Sequence, residues 1–162
     1  MITAATTVER SFRLAASPDA AWALLEDVPR WGRLFPHVEA IEPYPAGGPD
    51  AYRWTLEPLG PPGGRVRTVY ACRYRRQPGA RTLSWTPIDG VGTARFEGEA
   101  RLTPDGDGTA GTLRLGAALQ IPAPRFVRAI VEPAVAVEMA RMTDTFLGRL
   151  DPEIARPGGS TP

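Results

Sequence analysis

The stretch that decides the fold is RFVRAIVEPAVAVEMARMTDTFLGRL, at residues 125–150. Its length and composition predict one long helix near the end of the chain. The first half is apolar on nearly all sides, which is typical of a buried helix. Pro133 lies inside this half and is expected to kink or divide the helix, because proline removes a backbone donor. The segment that follows, 152–162, is rich in proline and glycine and is expected to form a disordered tail.

Most of the chain before this helix is predicted to form strands separated by turns. The clearest strand is RVRTVYACRYRR at 65–76, in which Tyr70, Cys72 and Tyr74 share one face and arginines occupy the other. Period-two alternation with one polar face predicts an antiparallel sheet that is solvated on one side. Clusters such as LGPPGGR at 59–65 mark turns. The other candidate strands are 6–15, 38–44, 51–57, 82–88, 93–102 and 112–121.

Two short helices are predicted between the first two strands. Ser17 suits the N-cap of the first helix and Pro18 its first turn. The second helix is expected to include Trp31 and to end before Pro36. Strands in succession, flanked by helices, define an α+β class rather than a strict βαβ alternation.

Composition restricts the functional classes. The chain has 162 residues, the usual size of one domain, and 19 basic against 18 acidic residues. This balance gives no attraction for nucleic acid, and the absence of long apolar runs predicts no membrane span. No signal peptide is visible, so a cytoplasmic location is expected. With one His and one Cys, no metal site is expected. No Walker loop or G-x-G-x-x-G motif is present, and no cofactor is expected.

Four arginines on the polar face of the clearest strand, at 65, 67, 73 and 75, raise the question of a nucleic-acid surface. A second polar row is formed by Arg95, Glu97, Glu99 and Arg101. Cross-strand ion pairs between the two rows are the favoured interpretation.

The inward face of the predicted sheet is rich in aromatic residues, either as ordinary core or as the wall of a ligand pocket. Both interpretations can hold together. No catalytic residue is assigned, although Tyr70, Tyr74 and Arg10 are polar groups on the inward side. The predicted ligand-binding residues are Tyr52, Trp54, Tyr70, Tyr74, Trp85 and Phe96 from the sheet, with Phe126, Ile130 and Val137 from the long helix.

Three further residues have a structural and a functional interpretation. Cys72 is expected to be a buried, inert thiol rather than a nucleophile, since nothing nearby in sequence would lower its pKa. His37 is expected to be an exposed or capping residue rather than a general base. Glu138 and Arg141 are expected to form a surface pair rather than to line a pocket.

The chain resembles the START-like helix-grip (SRPBCC) superfamily, which includes polyketide cyclases/dehydrases and coenzyme Q-binding START-like proteins. The matching segments are ASPDAAWALLEDVPRW, WGRLFPHVEAIE and IPAPRFVRAIVEPAVAVEMARMTDTFLGRL. The resemblance implies one domain at 1–151, in which a curved antiparallel sheet of six to seven strands grips the long helix around an apolar cavity.

The resemblance favours binding or transfer of a hydrophobic molecule such as a lipid, an isoprenoid quinone or a polyketide. The alternative is an aromatase/cyclase-type enzyme that uses pocket Tyr and Arg groups for aldol cyclisation and dehydration. A protein-interaction module is a third interpretation, because one fold can support many functions.

Overall fold

The fold is built on an antiparallel sheet, seen in a computed structural model that describes residues 1–59 and 65–156. Within these residues the sheet has seven strands in the order β1-β7-β6-β5-β4-β3-β2. The strands are β1 (Ile2–Leu14), β2 (Val38–Pro43), β3 (Ala51–Leu56), β4 (Val69–Gln77), β5 (Thr82–Pro87), β6 (Ala94–Asp105) and β7 (Gly108–Ile121). The helices are α1 (Pro18–Leu25), α2 (Val28–Gly32), α3 (Arg128–Gly148) and α4 (Leu150–Ala155). The sheet is curved and open, so the predicted helix-grip fold is confirmed.

The first short helix begins as the sequence predicts, and the second begins at a cap that was not predicted. The Ser17 hydroxyl accepts a hydrogen bond from the Ala20 backbone N–H at 3.2 Å, which caps α1. The Asp27 carboxylate accepts one from the Arg30 N–H at 3.3 Å and caps α2. Both helices lie between β1 and β2 in the chain.

Strand β4 has the predicted faces but a later start. Tyr70, Cys72 and Tyr74 are all buried on the face toward the helices. The regular ladder starts only at Val69, and Val66 forms an isolated bridge to Leu59. The predicted turn at 59–65 lies mostly outside the described residues.

The predicted ion pairs between the two polar rows are wrong, because β5 lies between β4 and β6. The arginines have other partners: Arg67 pairs with Glu39, and the Arg73 Nε donates to the Gly47 carbonyl oxygen at 2.8 Å. Alternation identifies the face on which a side chain lies, whereas strand order depends on the whole fold.

The long helix is continuous, and Pro133 does not divide it. Its buried residues lie in the second half and are Met139, Met142, Thr143 and Phe146. The expected burial of the first half is wrong, because that half meets the edge strand β1 without a second helix to cover it. The second half is anchored on β1 by an ion pair between Arg10 Nε and Asp144 Oδ1 at 2.8 Å.

The segment after α3 begins with another helix, not with the predicted tail. In α4, Ile154 packs against the core, and Glu153 forms an ion pair with Arg30 at 3.1 Å. Residues 157–162 lie outside the described residues. No helix in the described ranges has the length and apolar character needed to cross a membrane.

Candidate functional site

A cavity lies between the concave face of the sheet and the helices. It contains about 970 Å³ of atom-free space, part of it at the opening to solvent, and only about 70 Å³ of this admits the centre of a water molecule. The cavity is therefore narrow, and its wall is almost entirely apolar. Such concave, apolar sites are typical of small-molecule binding.

The structure brings most of the predicted sheet residues together at this cavity. Trp54, Tyr70, Tyr74, Trp85 and Phe96 all line it. Tyr52 is half-buried and does not line it. Tyr52 instead packs edge-on against Tyr74, with ring centroids 6.0 Å apart.

The three predicted residues of the long helix lie elsewhere. Phe126, Ile130 and Val137 are 83%, 74% and 59% exposed, respectively, and none lines the cavity. The helix contributes Met139, Met142 and Phe146 instead. The sequence prediction failed here because a helix that is apolar all round does not reveal which of its residues face the sheet.

Replacing Phe126 with serine is therefore expected to leave the protein almost unchanged. A substitution at an exposed site away from special features alters the free energy of unfolding by no more than about 0.5 kcal/mol. Urea denaturation measures this difference. A loss of several kcal/mol would show that Phe126 is buried in solution.

Trp31, which was not predicted as a site residue, lies at the centre of the cavity wall. Trp31 comes from α2, which is too short to show a helical period. The only sequence feature that could have pointed to it is a tryptophan placed between two prolines, Pro29 and Pro36. Aromatic rings whose centroids lie about 6 Å apart prefer tilted or edge-on arrangements. The distances from Trp31 are 5.5 Å to Trp54, 6.0 Å to Trp85, 6.1 Å to Tyr74 and 5.9 Å to Phe146.

Two glycines leave room for aromatic rings of the wall. A Cβ on Gly98 would lie 2.4 Å from Cζ2 of Trp85. A Cβ on Gly111 would lie 2.2 Å from Cζ of Phe12. Each ring therefore rests directly on the backbone of the neighbouring strand, and the two glycines help to set the shape of the cavity.

The tyrosines of the wall remain neutral near neutral pH. Burial raises the pKa of Tyr70 and of Tyr74 well above the ordinary range. Among the described residues, the wall contains no Asp, Glu, His or Arg side chain. The polar chemistry of the cavity thus comes from hydroxyl and indole groups.

Cys72 lies behind this wall and is buried, as predicted. Its Sγ is 3.3 Å from the Phe96 carbonyl oxygen, to which the thiol donates. Burial raises the pKa of the thiol to about 12, against an ordinary value of 9.0. A thiol that stays protonated is a poor nucleophile.

The raised pKa of Cys72 predicts a loss of stability at alkaline pH. Above pH 9.0 the thiol of the unfolded chain loses its proton, whereas the buried thiol of the folded chain keeps it. The contribution of Cys72 to the free energy of unfolding is therefore complete below pH 9.0 and is lost as the pH rises toward about 12. The expected loss is on the order of a few kcal/mol, with Tyr70 and Tyr74 acting in the same direction. Urea midpoints measured from neutral to alkaline pH test this, with Cys72→Ala as the control that should show a weaker dependence. Equal dependence in both proteins would contradict it.

Other polar residues singled out in the sequence lie outside the cavity wall. Arg10 pairs with Asp144, and its hydrogen bond and charge lower the pKa of that carboxyl group. His37 is half-exposed, with Glu57 and Glu138 carboxylates 3.5 Å and 3.8 Å from its ring nitrogens. Glu138 also pairs with Arg141 at 3.3 Å, so the expected surface pair is present.

Together, the seven-stranded sheet, the gripped helix and the apolar cavity define a helix-grip protein of the START-like class. Residues 5–154 match the family described as "Polyketide cyclase / dehydrase and lipid transport", and the chain belongs to this family. A search among curated proteins finds no match.

Solved structures share the fold at low sequence identity. The Zhui aromatase/cyclase from a Streptomyces species is 21% identical, with a TM-score of 0.65, 96% of this chain covered and 98% of that chain. A STAR-related lipid transfer protein fragment from Xanthomonas axonopodis is 20% identical, with a TM-score of 0.66 and coverage of 93% and 86%. Truncated norcoclaurine synthase from Thalictrum flavum is 21% identical, with a TM-score of 0.57 and coverage of 91% and 94%.

Proposed function

We propose that this protein binds a hydrophobic small molecule in the cavity and acts as its carrier. The observation that carries the proposal is a narrow cavity with an aromatic and aliphatic wall and no charged side chain among the described residues. Burial of apolar ligand surface in such a site supplies the binding free energy. A lipid, an isoprenoid quinone or a polyketide-like molecule has the apolar surface that such a site would bury. The cytoplasmic location remains a prediction from the sequence.

The state of the tyrosines favours binding over catalysis. General acid–base catalysis works best with a group whose pKa is close to the operating pH. Burial moves the pKa of Tyr70 and Tyr74 away from neutrality. Arg10, the other polar group predicted on the inward side of the sheet, is paired with Asp144 outside the cavity wall.

Native mass spectrometry of the protein as purified, followed by organic extraction, tests for a bound apolar compound. In parallel, titration of ligand-free protein with the neutral dye phenylnaphthylamine is expected to show saturable binding at one site. Absence of both an adduct and saturable dye binding would overturn the proposal.

A matched pair of variants locates the dye. Ala100 lines the cavity, whereas Ala129 is exposed on α3. Ala100→Phe fills the cavity and is expected to weaken dye binding by at least about tenfold, since a lost apolar contact of this size is worth more than 1.4 kcal/mol. Ala129→Phe adds the same ring outside the cavity and is expected to leave binding unchanged. Equal binding by both variants would place the dye elsewhere.

A second candidate, polyketide cyclisation, is supported by the two tyrosine hydroxyls in the wall. In that case the protein would act on a polyketide carried by an acyl-carrier partner, and the hydroxyls would serve as proton donors. Tyr70→Phe and Tyr74→Phe are then expected to reduce turnover of a model polyketide thioester. Unchanged turnover would remove both residues from that role.

A further inference from the structure

The first half of α3, with the short 3₁₀ turn Arg125–Val127 that precedes it, exposes apolar side chains. A helix at a protein surface normally turns polar residues toward solvent. Over residues 126–137, seven residues are exposed, and Arg128 is the only one of them with a polar side chain. The other six, here called the apolar stripe, are Phe126, Ala129, Ile130, Pro133, Ala134 and Val137.

The spacing of the apolar stripe places its side chains along one side of the helix. Phe126, Ile130, Pro133 and Val137 follow one another at intervals of four, three and four residues. Residues three and four apart are neighbours on a helix surface, so the stripe is continuous. A continuous exposed apolar surface marks an interaction site, whereas single exposed apolar residues do not.

The second half of the same helix has the ordinary arrangement. Over residues 138–148 the exposed residues are Arg141, Asp144 and Gly148, and none of them is a large apolar residue. The exposed apolar surface of α3 is therefore confined to its first half. The side chains that α3 contributes to the cavity wall all come from the second half, so the stripe is a surface separate from the cavity.

Basic side chains border the stripe on the side next to β1. A shallow groove there is lined in part by Ala5 of β1 and by Arg125, Arg128 and Glu132. Glu132 is the only acidic residue among the described residues that line this groove. Its carboxylate lies 2.9 Å from the Arg128 Nε, so its negative charge is already balanced.

The other acidic residue next to the stripe is also paired. The Glu138 carboxylate lies 3.3 Å from an Nη atom of Arg141. These two pairings leave Arg125 without an acidic partner in the described part of the chain. The border of the stripe is therefore positive on balance, which favours a partner with negative charge around an apolar interior.

The size and shape of the stripe do not suit a folded protein as that partner. A helix rises about 1.5 Å per residue and is about 10 Å wide, so the stripe is about 17 Å long and covers on the order of 200 Å². A stable protein–protein interface, including a dimer of this chain, covers about 800 Å² on each partner. A single helix face bordered by basic residues is instead the form of a helix that lies in the surface of a bilayer.

We propose that this face of α3 docks the protein on a lipid bilayer whose surface carries anionic head groups. The helix lies parallel to the bilayer, and the apolar stripe enters the boundary between the head groups and the acyl chains. Arg125 and Arg128 contact the anionic head groups. The attachment is peripheral and reversible, because it uses a few apolar side chains and few basic ones.

Co-sedimentation of the full chain with large unilamellar vesicles tests the proposal. Vesicles that mix phosphatidylcholine with phosphatidylglycerol are expected to bind the protein at least about fivefold more strongly than vesicles of phosphatidylcholine alone, as one basic residue near an anionic surface predicts. Added salt is expected to reduce this difference by screening the charges. Absence of binding to the mixed vesicles would overturn the proposal.

Single substitutions separate the apolar and the basic contributions. Phe126→Ser is expected to weaken binding to the mixed vesicles about tenfold, because a large apolar side chain no longer enters the bilayer. Arg125→Gln is expected to weaken it about fivefold. Arg114→Gln is the matched control for charge: Arg114 is exposed on β7, and its replacement is expected to leave binding unchanged. Equal binding by the native protein and Phe126→Ser would remove the stripe from the contact.

An environment-sensitive fluorophore locates the contact directly. Cys72 is buried, so a cysteine introduced at an exposed position can be labelled alone in the folded protein. A fluorophore attached to Phe126→Cys is expected to shift its emission to shorter wavelength when mixed vesicles are added. The same fluorophore on Thr112→Cys, at an exposed position of β7, is expected to show no shift. Equal shifts at both positions would overturn the proposed orientation.

Two further outcomes would contradict the proposal. Equal binding to both kinds of vesicle would overturn the role of the arginines and the requirement for anionic lipid. Analytical ultracentrifugation might instead detect a dimer that Phe126→Ser dissociates, which would assign the stripe to a second copy of this chain. Neither outcome affects the binding function proposed for the cavity, since that function is tested by the dye and by the cavity variant Ala100→Phe.

Discussion

Replacing Phe146 with alanine is expected to lower the free energy of unfolding by about 3–5 kcal/mol. Phe146 is buried in the second half of α3 and lines the cavity. Its ring stacks on Phe35 at 4.1 Å with an interplanar angle of 6°, and it meets Trp31 edge-on at 5.9 Å. The loss combines the transfer free energy of the removed ring with the cavity left behind, because the two remaining rigid rings cannot collapse fully into the space. Urea denaturation followed by circular dichroism measures the change.

The same helix offers a matched control. Val137 lies in the first, exposed half of α3 and is 59% exposed. Val137→Ala is expected to change the free energy of unfolding by no more than about 0.5 kcal/mol. Similar losses in the two variants would contradict the conclusion that the buried residues of α3 lie in its second half.

The sheet and its inward face were predictable because the signal is local. Successive side chains of a strand point to opposite faces, so the positions of Tyr70, Cys72 and Tyr74 follow from neighbouring residues alone. The N-cap at Ser17 is equally local. Strand order was not readable in this way, and the expected pairing of the two polar rows failed for that reason.

The contribution of the helices to the cavity was harder to predict. Residues 126–137 are apolar on nearly all sides, so no polar stripe indicates which side faces solvent. Which residues of α3 are buried depends on the position of α2 and of the residues that follow it. Trp31 and Phe35 contact Phe146, which lies more than a hundred positions further along the sequence. A five-residue helix such as α2 shows no period from which this role could be inferred.

The shape of the cavity also depends on a residue without a side chain, which the alternation pattern treats as neutral. Gly98 pairs with Trp85 across β5 and β6, and its Cα faces the ring. Small residues opposite large rings let an aromatic wall lie flat on the sheet instead of filling the space in front of it.

Gly98→Ala is expected to destabilise the protein by about 1–3 kcal/mol and to reduce the affinity for an apolar ligand by at least about tenfold. The new Cβ would lie 2.4 Å from Trp85 Cζ2 and 2.4 Å from the Arg114 carbonyl oxygen, so the ring or the backbone must move. The open space next to the ring is the cavity, and we expect the indole to move into it. Urea denaturation and titration with phenylnaphthylamine measure the two effects.

Two further variants make the mechanism testable. Gly148→Ala introduces the same methyl group where no atom lies within 4 Å, and it is expected to be neutral or stabilising by about 0.5 kcal/mol, with unchanged dye binding. In a Trp85→Leu background, Gly98→Ala should cost less than in the native protein, because the ring that clashes has been removed. An identical cost in both backgrounds would assign the strain to the Arg114 carbonyl alone and would remove Gly98 from the residues that keep the cavity open.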